Sequence, residues 1–200
     1  GIRLDEVSLM KRIGALLLCG ILLLPAAGAS GTPWPAWAAE ALAWGREKSV
    51  SRAFLASPGQ RLTRGAVARL LYESAGQPAA HEECPFSDVS EKDAAAVGWA
   101  AGQGYLTGVG DGTYEPGRPV TRQEFAAILW RQAGTPEVPV QGLERFGDAG
   151  TVSEWARDAV LWCQQAGVMA GRSGDKLAPE DTITTAEALV MLERAAGLPD

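Results

Sequence analysis

The sequence predicts an all-α protein built from three tandem helix–loop–helix units. One pattern of turn, threonine, apolar helix and glycine occurs three times, as GQRLTRGAVARLLYESAG at 59–76, GRPVTRQEFAAILWRQAG at 117–134 and EDTITTAEALVMLERAAG at 180–197. The last two copies align without a gap at an offset of 63, which also pairs Trp99 with Trp162. Repetition at such a period indicates small units that bury their apolar faces against one another.

We place the three units at 34–76, 86–134 and 146–197, and the proline-bearing stretches between them are connectors. A glycine-rich loop separates the two helices of a unit, GYLTGVGDGTYEPG in the second and GVMAGRSGDKLAPED in the third. Asp111 and Gly112 in this loop suit a tight turn with positive backbone angles. The first unit lacks three residues of this loop and its glycines, and is therefore the most divergent copy.

The first helix of a unit carries tryptophans at helical spacing. They occur as Trp37, Ala41 and Trp44 in the first unit and as Trp155, Ala159 and Trp162 in the third. A spacing of four and then three residues predicts that each set lines one face of its helix.

The second helix of a unit carries an apolar stripe of the i, i+3, i+4 type. The stripes are Val67, Leu70 and Leu71, then Phe125, Ile128 and Leu129, then Ala188, Met191 and Leu192. A left-handed glycine is expected to end each of these helices, at Gly76, Gly134 and Gly197. One helix pair cannot bury its stripe alone, whereas three pairs can pack their stripes together.

The second helices begin with capping motifs. Thr121 with Glu124, and Thr184 with Glu187, predict reciprocal capping boxes, each cap contributing about 1 kcal/mol. Thr63 is followed by Ala66, so the first unit keeps only half of the box.

Arg64 and Arg122 directly follow the capping threonines. A cation at this end opposes the helix dipole, at a cost of roughly a few tenths of a kcal/mol, so stability alone would favour an acid there. Two explanations remain open. The arginines, together with free helix amides and the dipole, would form a corner that binds a carboxylate or phosphate, or they would form salt bridges to a neighbouring unit.

Residues 1–30 have the layout of a secretory signal peptide, with Lys11 and Arg12 before an apolar run and AGAS at its end. The acidic stretch before Met10 suits a signal peptide poorly and suggests an over-extended start. The apolar run is shorter than the roughly 20 residues of a bilayer span, and Pro25 interrupts it, although a retained transmembrane helix stays an alternative. We expect export and no transmembrane span after processing.

Composition limits the possible functions. The net charge of −6 argues against a nucleic-acid partner, because phosphate binding requires clustered Lys and Arg. His81 is the only histidine, and no nucleophile, phosphate-loop or calcium-loop pattern is present, so we expect no enzyme, no cofactor and no metal site. Cys84 and Cys163 remain after processing, either as free thiols or as a disulfide.

The motifs FSDV at 86–89 and GYLTGVGDGTYEPGRPVTRQEFAAILWR at 104–131, with a looser copy that begins FGDA at 146, resemble the S-layer homology domain of bacterial surface proteins. The resemblance implies three tandem repeats forming a pseudo-threefold, three-pronged spindle around a central three-helix bundle of the second helices. It also implies grooves between the prongs that bind secondary cell-wall polysaccharide, often through a pyruvylated sugar whose carboxylate meets the Thr-Arg motif.

The resemblance implies a set of ligand-binding residues. They are Arg64, Arg122, Thr63, Thr121, Glu124, Trp37, Trp155, Asp88, Asp148, Gly104, Gly108, Gly167 and Gly171. Thr185 replaces the arginine in the third unit and Lys92 replaces the tryptophan in the second, so we expect one competent groove or two. Trp37 and Trp155 either stack on sugar or belong to the core.

The expected function is a non-covalent anchor, secreted and held at the cell wall or cell surface. Its expected partner is a secondary cell-wall polysaccharide or another peptidoglycan-linked glycan, with other surface proteins as further partners. The alternative is a cell-surface scaffold that uses the helical repeats for contacts between proteins.

Overall fold

The computed structural model describes residues 33–79, 83–138, 141–172 and 175–199. The signal peptide predicted at 1–30 and His81 lie outside these ranges. Within them the chain is helical and contains no β-sheet, which confirms the all-α class. The helices are α1 (Ala39–Glu47), α2 (Arg52–Leu55), α3 (Arg64–Ser74), α4 (Glu91–Gly102), α5 (Arg122–Gln132), α6 (Arg157–Gln165) and α7 (Thr185–Ala196). Short 3-10 turns occur at Ala36–Ala38, Ala149–Thr151 and Glu154–Ala156.

The extended residues before α3, α5 and α7 form a closed ring of backbone hydrogen bonds. The amide of Val120 donates to the carbonyl of Leu62 at 3.0 Å, and the amide of Leu62 donates to Ile183 at 3.0 Å. The amide of Ile183 completes the cycle by donating to Val120 at 2.9 Å. All three side chains are at most 1% exposed, so the ring lies in the core and joins the three units in a cyclic order.

A second cycle of backbone hydrogen bonds, which runs in the opposite direction around the three units, satisfies the first amides of α3, α5 and α7. The amides of Arg64, Arg122 and Thr185 each donate at 2.9 Å to a carbonyl of another unit, at Arg118, Asp181 and Gln60 respectively. The next amide of each helix donates in the same way to Pro116, Pro179 and Pro58. The expectation that these amides are free for a ligand is therefore wrong, because the neighbouring unit already uses them.

Each second helix packs chiefly against the first helix of the following unit. The most extensive helix contacts join α3 to α4, α5 to α6, and α7 to α1, whereas α5 and α7 contact each other less. All nine residues of the predicted apolar stripes are at most 4% exposed, which confirms that the stripes are buried. The sequence predicts that the stripes pack against one another. In the structure the second helices contact chiefly first helices and each other only in part.

The helix starts follow the predicted capping chemistry. Reciprocal capping boxes are present at Thr121 with Glu124 and at Thr184 with Glu187, and Thr63 caps α3 without an acidic partner. Gly76 and Gly134 end their helices at φ +82°, as predicted. Gly197 instead keeps a right-handed φ of −88°, because its amide continues the helical pattern by donating to Glu193 at 3.1 Å.

The buried face of the first helices differs from the predicted tryptophan face. Trp37 and Trp155 are exposed, while the residues that follow them, Ala38 and Ala156, are fully buried. The short 3-10 turns that contain these tryptophans rotate them away from the face of Ala41 and Ala159. Small residues at the buried positions allow the adjacent second helix to approach closely.

The described cysteines are both unpaired, and Cys163 is buried, where desolvation raises the pKa of its thiol. None of the helices in the described ranges combines the length and the hydropathy that crossing a bilayer requires.

Candidate anion-binding grooves

Two grooves lie beside the arginines that the sequence analysis singled out. Groove one, of about 200 Å³, is lined by Arg64, by the loop and helix α5 of the second unit, and by Trp155 of the third unit. Groove two, of about 290 Å³, is lined by Arg122, by the loop and helix α7 of the third unit, and by Trp37 of the first unit. Each groove therefore combines side chains from all three units.

The two grooves are equivalent under the repeat. Glu124, Ile128 and Arg131 line groove one, and Glu187, Met191 and Arg194, each 63 residues later, line groove two. Gly108 and Gly171 correspond in the same way. The equivalence means that one arrangement has been built twice in the chain.

Arg64 reaches across to the loop of the second unit. Its Nε donates to the carbonyl of Tyr114 at 2.7 Å and its Nη2 donates to the carbonyl of Thr107 at 2.6 Å. The guanidinium carbon also lies 4.3 Å from the centre of the Tyr114 ring. These contacts fix the guanidinium at the groove wall, and desolvation by partial burial lowers its pKa.

Arg122 makes the equivalent contacts in the third unit and is buried more deeply. Its Nε donates to Leu177 at 3.0 Å and its Nη2 donates to Ala170 at 2.8 Å. Its Nη1 lies 3.0 Å from Oε1 of Glu187. Only 3% of the residue is exposed, so desolvation lowers the pKa of Arg122 while Glu187 opposes that effect.

The arginines thus bind the neighbouring unit as well as facing a groove. For Arg122 this is the salt bridge that the sequence left open as an alternative. The same guanidinium that joins two units also lines a concave surface, so the anion-binding alternative stays a prediction.

Capping glutamates are paired with a second arginine in each groove. In groove one, Nη2 of Arg118 lies 2.7 Å from Oε1 of Glu124. In groove two, Nε of Arg172 lies 2.7 Å from Oε1 of Glu187. Burial alone would raise the pKa of each carboxyl, but the arginine and the capping amide outweigh it and hold both pKa values below the usual range.

The grooves are locally cationic in an acidic protein. Groove one is lined by the guanidinium groups of Arg64, Arg118 and Arg131 against the single carboxylate of Glu124. Groove two is lined by Arg122, Arg172 and Arg194 against Glu187. With a chain net charge of −6, such concentration of positive charge favours an anionic group at these two places.

An exposed indole stands at the edge of each groove. Trp155 at groove one is 58% exposed and Trp37 at groove two is 60% exposed. The alternative that these residues belong to the core is therefore wrong. A large aromatic face left in solvent beside a cationic wall provides a surface for a flat apolar group.

Asp88 and Asp148 lie away from the groove linings and hold the loops in place. The two oxygens of Asp88 accept the amides of Tyr114 and Glu115, and those of Asp148 accept the amides of Leu177 and Ala178, all at 2.8 Å. Desolvation acts to raise the pKa of each carboxyl, but these amides outweigh it and lower the pKa. The carboxylates thereby position the carbonyls to which Arg64 and Arg122 bind.

The predicted glycines divide into two kinds. Gly108 and Gly171 line the grooves, and a Cβ on Gly108 would lie 2.6 Å from Phe86 and 2.8 Å from the carbonyl of Thr113. Gly104 and Gly167 follow the first helices at φ +74° and +72° and lie outside both grooves. Thr63 and Thr121 are likewise helix caps and not groove residues.

A third equivalent site, at the start of α7, lacks the arginine, the glutamate and the tryptophan that line the two grooves. Thr185 replaces the arginine, is fully buried and donates through its hydroxyl to Gln60 at 3.2 Å. Ala66 replaces the capping glutamate and Lys92 stands where the indole would come from. Substitutions that are scattered along the sequence therefore coincide at one place in the cycle.

Sequence reasoning missed four groove arginines, Arg118, Arg131, Arg172 and Arg194. Arg131 and Arg194 are 63 residues apart, so the repeat alignment already contained the signal for them. Arg118 and Arg172 occupy non-equivalent positions, and only the fold brings both to the capping glutamates. In the part of the chain that the structure describes, no cluster of three or more His, Cys, Asp or Glu residues could hold a metal ion.

Two segments of the chain are similar to known proteins. Residues 85–126 and 145–189 match the S-layer homology domain. The chain is 25% identical to cell surface glycoprotein 1 of Acetivibrio thermocellus over 154 residues, which cover 69% of the chain and 6% of that protein. It is 32% identical to endo-1,4-beta-xylanase A of Thermoanaerobacterium saccharolyticum over 105 residues, which cover 51% of the chain and 9% of that protein.

The chain thus spans less than a tenth of the length of either curated relative. The matched segments contain the FSD and FGD motifs, the glycine-rich loops and the starts of α5 and α7. The segments at 85–126 and 145–189 are thus similar to the S-layer homology domain.

Proposed function

We propose that this chain anchors itself, and any longer protein that contains it, on the bacterial cell wall by binding an acidic secondary cell-wall polysaccharide in grooves one and two. Pyruvylated sugars are the proposed acidic units. The S-layer homology segments and the cell-surface relative support a cell-wall anchoring role in general. Export through the segment at 1–30, a three-pronged outline and a divergent S-layer homology repeat at 34–76 are parts of the same proposal, which gives the chain no catalytic role.

The observation that carries the proposal is the pairing of three guanidinium groups with one exposed indole in each groove. A guanidinium binds a carboxylate through two parallel, charge-assisted hydrogen bonds. An indole face packs against the apolar face of a pyranose ring. A sugar that carries a carboxylate satisfies both surfaces at once, whereas an isolated anion uses only the first.

We propose as ligand contacts those predicted residues that line a groove. In groove one they are Arg64, Gly108, Glu124 and Trp155, joined by Arg118 and Arg131. In groove two they are Arg122, Gly171 and Trp37, joined by Arg172, Glu187 and Arg194. The remaining predicted residues, Thr63, Thr121, Asp88, Asp148, Gly104 and Gly167, act on the ligand only through the helix starts and loops that they position.

Sedimentation with purified wall sacculi tests the proposal. Wild type should pellet with the sacculi, and Trp37→Ala combined with Trp155→Ala should reduce retention about tenfold or more, because stacking on a ring contributes about 1 kcal/mol per site and both sites are lost. Both indoles are exposed, so these changes leave the core intact. The matched control is Arg157→Ala, an exposed change on α6 outside both grooves.

Two further experiments change the arginines of the protein and the acidic groups of the polymer. Arg64→Ala combined with Arg122→Ala should release the protein, provided that circular dichroism shows it folded, and mild acid removal of the pyruvate ketals from the sacculi should release wild type. Retention that survives the double arginine change would remove the mechanism. Retention by sacculi without ketals would exclude pyruvate as the recognised group while leaving wall binding in place.

The scaffold alternative rests on a different surface. A hollow of about 730 Å³ lies at the C-terminal ends of the second helices, lined in part by Trp44, Trp162, Leu192 and Leu198. A scaffold that used this surface would keep its place at the wall after the groove changes and lose it after Trp44→Ala. The two functions are thus separated by which change releases the protein.

A further inference from the structure

The two grooves differ in how far their own carboxylates neutralise the arginine at the helix start. In groove two, Nη1 of Arg122 is paired with Glu187 at 3.0 Å. Across the described ranges, Arg64 of groove one forms no ion pair, and its Nη1 donates no hydrogen bond. The equivalent glutamate, Glu124, is instead directed to Arg118.

The difference arises from where the second arginine stands in the sequence. In groove one it is Arg118, in the segment that leads into α5, and the equivalent residue of the third unit is Asp181. In groove two it is Arg172, in the glycine-rich loop, and the equivalent residue of the second unit is Val109. Each groove therefore places a second arginine beside its capping glutamate, but the two grooves do so from non-equivalent positions, Arg118 and Arg172.

Arg172 completes an internal ion network. Its Nε and Nη2 lie 2.7 and 3.0 Å from the two oxygens of Glu187. Its Nη1 is paired with Asp181, and its Nη2 also approaches the carbonyl of Thr182 at 3.3 Å. All three nitrogens of Arg172, like all three of Arg122, thus already face acceptors of the protein itself.

We propose that groove one is the high-affinity site for a carboxylate-bearing sugar. Groove two is the weaker site because Arg172 completes a network in which the guanidinium groups of Arg122 and Arg172 are paired with Glu187 and Asp181. The inference rests on the proposed function, because it ranks the two grooves for the same ligand. An anion entering groove two must compete with carboxylates that are already in place. In groove one Arg118 is likewise paired with Glu124 and Glu115, but Arg64 is a positioned guanidinium with an unused edge.

The exposed indoles make the ranking measurable site by site. Trp155 lines groove one and Trp37 lines groove two, so each Nε1–H signal in a two-dimensional ¹⁵N spectrum reports one groove. The probe is a synthetic methyl hexopyranoside that carries a 4,6-pyruvate ketal, and Trp37→Phe and Trp155→Phe assign the two signals. The Trp155 signal should reach its midpoint at a probe concentration about tenfold lower than the Trp37 signal, since one charge-assisted hydrogen bond differs.

A reciprocal exchange of positions tests the cause. Arg172→Val with Asp181→Arg gives groove two the residues of groove one, and should lower the Trp37 midpoint toward that of Trp155. Val109→Arg with Arg118→Asp should raise the Trp155 midpoint. Because the two exchanges act on different grooves, the unchanged groove in each variant is an internal control for folding, and the second exchange keeps the test decisive if the first variant does not fold.

The outcomes separate this inference from the proposed function. Equal midpoints in wild type, or a lower midpoint for Trp37, would overturn the ranking while leaving carbohydrate binding established. Midpoints that differ but do not move on exchange would remove Arg172 as the cause. If neither indole responds and sacculi are not bound, the proposed function fails and the ranking fails with it.

Discussion

Arg69 of α3 and Asp93 of α4 form an ion pair at one of the three helix interfaces, and the other two interfaces have none there. The equivalent positions are Ala127 with Ala156 between α5 and α6, and Val190 with Ala38 beside α7. Asp93 is 6% exposed and also accepts a hydrogen bond from Ser90 at 3.2 Å. The pair thus distinguishes the interface of the first two units from two otherwise similar ones.

We predict that Asp93→Ala lowers the free energy of unfolding by about 1 to 2 kcal/mol, because Arg69 loses its partner but is exposed enough to reach water. Adding Arg69→Ala recreates the small apolar contact of Ala127 with Ala156 and should recover part of the loss. Urea unfolding of both variants measures this. A double variant less stable than Asp93→Ala would show that the pair is not replaceable by apolar packing.

The second prediction compares the two helix-start arginines. Arg122→Ala should cost about 3 kcal/mol of unfolding free energy, because it leaves the carbonyl of buried Leu177 without a donor and removes one of the two arginines paired with Glu187. Arg64→Ala should cost about half as much, since Arg64 is half-buried and no carboxylate depends on it. Equal losses in urea unfolding would contradict the unequal burial of these two side chains.

The third prediction concerns close packing at the loop. Gly108→Ala should destabilise the protein by about 1 to 3 kcal/mol, because its Cβ would overlap Phe86 and the carbonyl of Thr113. Gly117→Ala is the matched control, since a Cβ at Gly117 would meet no atom within 4 Å beyond its chain neighbours, and its effect should stay within about 0.5 kcal/mol. Thermal unfolding of the two variants gives the comparison, and an unaffected Gly108→Ala would mean that the loop can move away from Phe86.

The fourth prediction is a loss of stability in acid. The folded pKa of Glu187 lies below its ordinary value of 4.5, so its contribution is present above that value and is lost as the pH falls through the folded pKa. Glu187→Gln should therefore unfold more easily than wild type at neutral pH, and the difference should shrink below pH 4.5. Urea unfolding across this range measures it, and a constant difference would indicate that the charge of Glu187 does not matter to stability.

Local patterns predicted the helices, the capping boxes and the buried stripes, because each depends on residues close together in sequence. Thr121 and Glu124, for example, satisfy each other within one turn. Local patterns could not predict which unit supplies the contacts of another unit. The contact of Arg64 with Tyr114 spans 50 residues, and no periodicity within a unit specifies which unit will supply the carbonyl.

The candidate site was predicted in part for the same reason. Arg64, Arg122 and the two tryptophans, whose positions repeat in the sequence, line the grooves, and their role in ligand binding stays a prediction. The tryptophan face was misplaced, because the 3-10 turns alter the helical rotation by which Trp37 was aligned with Ala41. The resemblance implies that Asp88 and Asp148 bind ligand, whereas their oxygens accept hydrogen bonds from loop amides.

The ring formed by Leu62, Val120 and Ile183 fixes at three the number of repeats that it joins. Open arrays of repeats grow or shrink by whole copies and need special end pieces to cover their last apolar face. Here the last unit donates back toward the second and receives from the first, so the ring is closed and these hydrogen bonds leave no place in it for a fourth copy. A further copy added by gene duplication would therefore lie outside this ring and would not extend it.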